Sequence, residues 1–81
     1  MSIEVRQAFG RRVRLLREER GFSLRQFALT TGIDKSFLSS IELGRKSPTL
    51  DTIERIASGL DVTLSYLVFN VDAKPPCENG E

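Results

Sequence analysis

The polar groups suited to chemistry in this 81-residue chain gather between positions 22 and 46. Lys35, Ser36, Ser39 and Ser40 fall at helical spacing around apolar Phe37, Leu38 and Ile41. Arg45 and Lys46 follow directly, and Ser23 and Arg25 precede them. These are hydrogen-bond donors and fixed cations, not nucleophiles or bases. With no histidine and a single cysteine, Cys77, the chain offers no Ser-His-Asp or Cys-His arrangement, no Cys/His zinc site and no internal disulfide. It also has no paired-carboxylate motif and no phosphate-cradling glycine loop, so an enzyme is not expected. A helix held at its back by apolar residues, with small and cationic groups at its front, is what insertion into a DNA major groove requires.

Two short helices must position that face. Ser23 stands three residues before Gln26, the reciprocal capping-box spacing, and starts a helix over about 24–31. Gly32 supplies a residue that tolerates positive φ at a tight corner. Asp34 caps a second helix over about 35–43. Upstream, Val5, Phe9, Val13 and Leu16 form one stripe of a helix over about 3–20, leaving Leu15 off the stripe and Arg6, Arg11, Arg12 and Arg14 on its other faces. Downstream, Thr49 caps a helix over 50–60 with Leu50, Ile53, Ile56, Ala57 and Leu60 on one face. Thr63 caps a short one over about 64–69. No stretch alternates with period two, so the fold class is all-α. Residues 1–70 form one domain, with the helix-turn-helix at 23–43; residues 71–81 read as a disordered tail.

Charge is unevenly placed. Residues 1–50 carry ten Arg and Lys against five acids, and residues 51–81 two against six; the halves are +5 and −4 within the overall +1. One end of such a field attracts phosphate and the other does not. The start has no apolar run of signal-peptide type and nothing approaches membrane-spanning length, which predicts a cytoplasmic protein with no membrane partner.

The segments LLREERGFSL, FAxxxGIDxxxLSxIExG and SPTLDTIERIASGLDV, in this order and with these gaps, resemble the Cro/C1-type helix-turn-helix family (XRE family) of phage-repressor-like transcriptional regulators. The resemblance covers about 9–68 and is strongest to restriction–modification controller proteins and to the DNA-binding domain of sporulation and biofilm repressors. It implies a compact lambda-repressor-like bundle of five helices, associated with the bacterial or phage nucleoid. It places Lys35, Ser36, Phe37, Ser39 and Ser40 at base-facing positions, and Ser23, Arg25, Arg45 and Lys46 at phosphate-facing ones. Phe37 keeps two readings, contact with a thymine methyl or sugar and packing against the preceding helix. Arg17 and Glu42 match a structural ion pair of the family. Four positions depart from its pattern: Leu24 for a phosphate-binding Gln, Thr31 for a core leucine, apolar Leu43 for a polar residue, and Gly59 for an alanine.

The implied partners are double-stranded DNA and a second copy of the chain, with no cofactor, metal or small-molecule ligand. One small domain reads too few base pairs to select a site in a genome, and a dimer on a palindrome supplies the missing selectivity. Surplus apolar residues near the C-terminus suggest a dimer surface drawn from Tyr66, Val68, Phe69 and Val71, with Leu64 and Leu67 inside; the other reading is that all of them close the monomer core. The alternative is an antitoxin or other protein-binding module on the same fold that regulates its own synthesis through DNA.

Overall fold

The computed structural model describes residues 1–71. Five helices follow one another: α1 (Ile3–Glu19), α2 (Leu24–Thr31), α3 (Lys35–Glu42), α4 (Leu50–Leu60) and α5 (Leu64–Leu67). No strand occurs among the described residues. Every helix begins on a hydroxyl or carboxylate that accepts from the backbone three residues on: Ser2, Ser23, Asp34, Thr49 and Thr63. At α2 the box is complete, since Gln26 N donates to Ser23 Oγ at 3.0 Å and Ser23 N donates to Gln26 Oε1 at 2.9 Å.

One core joins the helices. Phe9, Val13 and Leu16 of α1 meet Phe27 of α2, Leu38 and Ile41 of α3, Ile53, Ile56 and Leu60 of α4, and Leu67 of α5. Full burial of each such side chain contributes about 1.5–3 kcal/mol. The arrangement places α3 against α1 and α2, and α4 against α2 and α1. The predicted stripes hold except at their ends. Leu50 is 73% exposed because it is the first residue of α4, and Leu64, expected inside, is 42% exposed. Val71, read from sequence as the first residue of the tail, is buried. The remaining tail, 72–81, with Cys77, lies outside the described residues.

The arginines of α1 have a role that periodicity does not show. Arg6 Nε donates to Gly44 O at 3.3 Å, just past α3. Arg20 Nε donates to Leu60 O at 2.7 Å, at the end of α4. Arg12 reaches the carbonyls of Tyr66 and Leu67, at the end of α5. A helix leaves its last carbonyls without internal partners and carries partial negative charge there. Cations from α1 and its C-cap, Arg20, meet that need at three helix ends, so α1 is the spine to which α3, α4 and α5 are tied.

Two of the departures from the family pattern prove to be neighbours. A Cβ on Gly59 would lie 2.8 Å from Thr31 Cγ2 and 3.2 Å from the Phe27 ring. Thr31 itself is buried, its hydroxyl donating to Phe27 O at 2.8 Å and accepting from Ile33 N at 3.3 Å. The glycine at 59 is therefore a packing requirement of the α2–α4 contact and not merely a weak helix former.

Candidate nucleic-acid interface

The corner between α2 and α3 is built on Gly32, whose φ of 73° and ψ of 19° lie in the left-handed region. Its N–H donates to Ala28 O at 2.9 Å, closing α2. Two residues later Asp34 Oδ2 accepts from Phe37 N at 3.2 Å, opening α3. Ile33 between them is buried and pins the turn to the core.

Around α3 the residues divide by face. Leu38 and Ile41 are buried, and Glu42 has a side chain only 7% exposed. Lys35, Ser36 and Leu43 are exposed, with Ser39 and Ser40 half-buried between them. Positions 35, 36, 39, 40 and 43 form one continuous helical arc. Within that arc Lys35, Ser36, Ser39 and Ser40 supply donors and acceptors, and Leu43 supplies an apolar edge. Phe37 is half-buried and packs against the core, which supports the packing half of its double reading.

Exposed cations flank the arc. Arg25 lies in the first turn of α2, and Arg45 and Lys46 follow α3. None of these side chains, nor Lys35, takes part in a hydrogen bond or salt bridge within the described residues. The loop carrying Arg45 is held from behind. Gly44 turns at a φ of 77°, and Arg45 N donates to Ser40 O at 2.9 Å. Gln7 of α1 packs so closely on Gly44 that a Cβ there would sit 2.7 Å from Gln7 Cγ. Ser23 Oγ is taken as an acceptor by the capping box, but its hydroxyl hydrogen remains available to a phosphate oxygen. Leu24 is half-buried against the core, so the start of α2 presents Arg25 and the Gln26 amide instead of the family's glutamine.

The back of α3 is fixed by an ion pair. Arg17 Nε meets Glu42 Oε2 at 2.7 Å and Arg17 Nη2 meets Glu42 Oε1 at 3.1 Å, a bidentate fork. Arg17 Nη1 also donates to Phe22 O at 2.8 Å, tying the α1–α2 loop to the same group. The hydrogen bond to Glu42 raises the Arg17 pKa, against the opposing effect of burial and with further help from the Glu42 and Glu18 charges. The Arg17 guanidinium therefore keeps its proton, and the fork acts as a permanent strut. Beside it, a Cβ on Gly10 would lie 2.4 Å from Ile41 O and 2.5 Å from Glu42 O. Backbone meets backbone at this crossing, and no side chain fits between. The apolar stripe of Val5, Phe9, Val13 and Leu16 does not include Gly10, yet a glycine inside a long helix is itself a sign of close approach.

Comparison with known proteins follows the same geometry. The helix-turn-helix family profile HTH_3 matches residues 13–67. The restriction–modification controller protein C.AhdI from Aeromonas hydrophila superposes with a TM-score of 0.75 at 32% identity, covering 76% of this chain and 94% of that one. The control protein C.MunI of Mycoplasma sp is 33% identical over 70 residues, 85% of this chain and 95% of that protein. The transcriptional regulator SutR of Escherichia coli is 43% identical over 53 residues, 65% of this chain. The chain spans only 30% of SutR's length, so the match there is to a part of that regulator. No described helix is long and apolar enough to cross a membrane. From fold, motif and relatives together, the chain belongs to the Cro/C1-type helix-turn-helix family of transcriptional regulators, which are not enzymes.

Proposed function

We propose that the chain is a sequence-specific DNA-binding regulator that grips a palindromic operator as a homodimer, with α3 in the major groove. The observation that carries this is the exposed arc of α3, one lysine and three serines, flanked by three cations with no partner inside the described residues. Lys35 donates to guanine O6 or N7, and Ser36, Ser39 and Ser40 bond base edges within reach. Arg25, Arg45, Lys46 and the Ser23 hydroxyl hold phosphates on either side and set the register of α3. Phe37 contributes mainly by fixing α3 to the bundle. Arg17 and Glu42 hold the reading face in place without touching DNA.

The dimer reading draws on the C-terminal surface. Leu64, Tyr66, Val68 and Phe69 are 42%, 49%, 38% and 61% exposed, four apolar side chains within six residues. Such a cluster suits an isologous contact. Val71, proposed for the same surface from sequence, is buried within its own chain and belongs to the core instead.

Selection of bound sequences from a random double-stranded pool tests both parts together. The expected product is an inverted repeat whose half-sites lie about one helical turn apart, roughly 34 Å. Sedimentation of wild type and Phe69→Asp, free and on the selected DNA, accompanies it: two copies per site for wild type, weakened association for the variant. A single asymmetric half-site bound by one copy would overturn the dimer. No enrichment at all would overturn sequence-specific binding.

A further inference from the structure

Two side chains of the surface just described, Tyr66 and Phe69, lie against one residue of α1. Arg12 Nε donates to Tyr66 O at 3.0 Å and to Leu67 O at 3.1 Å, and Arg12 Nη2 donates to Tyr66 O at 2.7 Å. The same guanidinium lies over two rings, 4.7 Å from the Tyr66 centroid and 6.0 Å from that of Phe69. One planar cation therefore binds the backbone at the end of α5 and underlies the aromatic side chains projecting from it.

That attachment matters because α5 is one turn, four residues long. A lone turn does not sustain itself; forming it fixes several dihedrals for few hydrogen bonds. After it, Val68 N donates to Leu64 O at 3.1 Å and Phe69 N to Tyr66 O at 3.3 Å, both internal to the same short stretch. Leu67 anchors the turn in the core, but Tyr66, Val68 and Phe69 point outward, where no core packing selects their pose.

We propose that Arg12 is a positioning residue for self-association: it holds Tyr66 and Phe69 in the arrangement against which a second copy packs. This rests on the dimer reading above. Arginine suits the task because its fork reaches two carbonyls while its flat face stays on a ring; a lysine ammonium does one or the other. Ordering the rings before the encounter lowers the cost of ordering them at it. An isologous interface contains the surface twice, so loss of Arg12 enters twice.

The chain has one tyrosine and no tryptophan, so its intrinsic fluorescence reports Tyr66 alone. The experiment is sedimentation equilibrium of wild type, Arg12→Ala and Arg12→Lys, with acrylamide quenching of Tyr66 at concentrations where all three are monomeric. Thermal unfolding by circular dichroism verifies that each is folded. The expected result is a dimer dissociation constant raised about tenfold or more in Arg12→Ala and less in Arg12→Lys, with faster Tyr66 quenching in the Arg12→Ala monomer. A wild-type dimer weakened by Phe69→Asp but unchanged by both Arg12 variants overturns the role of Arg12 and leaves the dimer standing. A wild type that stays monomeric, free and on DNA, overturns the dimer reading and this inference with it. Should Arg12→Ala fail to fold, Arg12→Lys and Arg12→Gln decide, and unchanged association in both counts against the proposal.

Discussion

The cations of α1 and those around α3 carry the same formal charge and are used in opposite ways. Arg6, Arg12, Arg17 and Arg20 point their guanidinium groups inward, onto the carbonyls of Gly44, Tyr66, Leu67, Phe22 and Leu60 and onto the Glu42 carboxylate. Arg25, Lys35, Arg45 and Lys46 are exposed and engage no described partner. Four of the ten basic residues in the first fifty, which together suggest nucleic acid, are thus architectural. The inward set still contributes to the long-range field, but the donors that short-range recognition needs are committed to the fold. A count of basic residues measures attraction to phosphate; only geometry separates the groups that can touch it.

The sharpest way to break this division is at the strut. Glu42→Ala leaves the Arg17 guanidinium buried with Phe22 O as its remaining hydrogen-bond acceptor and only the exposed Glu18 carboxylate, 3.9 Å away, as a counter-charge. The expected loss is about 3–5 kcal/mol of stability, the cost of an uncompensated buried charge. For a domain of this size that lowers the thermal midpoint by more than ~12 °C. Calorimetry of Glu42→Ala beside Arg17→Ala measures it. Losses under ~1 kcal/mol in both would mean that the pair is wet enough to behave as a surface bridge.

Next in size is the crossing of α1 and α3. Gly10→Ala gains helix propensity, worth at most about 1 kcal/mol, but drives a methyl into the carbonyls of Ile41 and Glu42. Both are backbone atoms, so relief requires α3 itself to shift. Overpacking should win, with a net loss of about 1–3 kcal/mol in urea unfolding and weaker binding to cognate DNA. A stabilised Gly10→Ala would show that α3 slides freely on α1, which would undercut its role as a fixed reading head.

Much of this was legible without coordinates, for identifiable reasons. The five helices follow from caps and apolar periods because both are local: Ser23, Asp34, Thr49 and Thr63 each sit where the chain turns into a helix. The Arg17–Glu42 pair was accessible through the family pattern, since a carboxylate on the inner side of α3 needs a cation. What stayed hidden depends on approach between distant segments. Gly10 against Ile41, Gly59 against Thr31 and Arg12 against Tyr66 pair residues 28 or more positions apart, and no periodicity encodes which two will meet. Leu64 and Val71 failed for a related reason. A one-turn helix has too few residues to define a stripe, so its inward side is set by where α4 and α1 leave room.

The finest test compares single cations from the two sets on the same DNA. Arg45→Ala and Lys46→Ala each remove a phosphate contact, so the slope of log affinity against log salt should fall by about one, equally for cognate and random duplexes. Lys35→Ala should weaken the cognate site by about 1–3 kcal/mol and random DNA far less, because its donor is aimed at a base. Arg20→Ala should instead cost about 1 kcal/mol of folding stability through the lost bond to Leu60 O and leave the salt slope unchanged. All four variants lower the net charge by the same amount, so a field-only account predicts the same slope change for each. Gel-shift titrations over a range of salt concentrations separate the two accounts. Equal slopes for Arg20→Ala and Arg45→Ala would erase the distinction between inward and outward cations, since bulk charge alone would then govern binding.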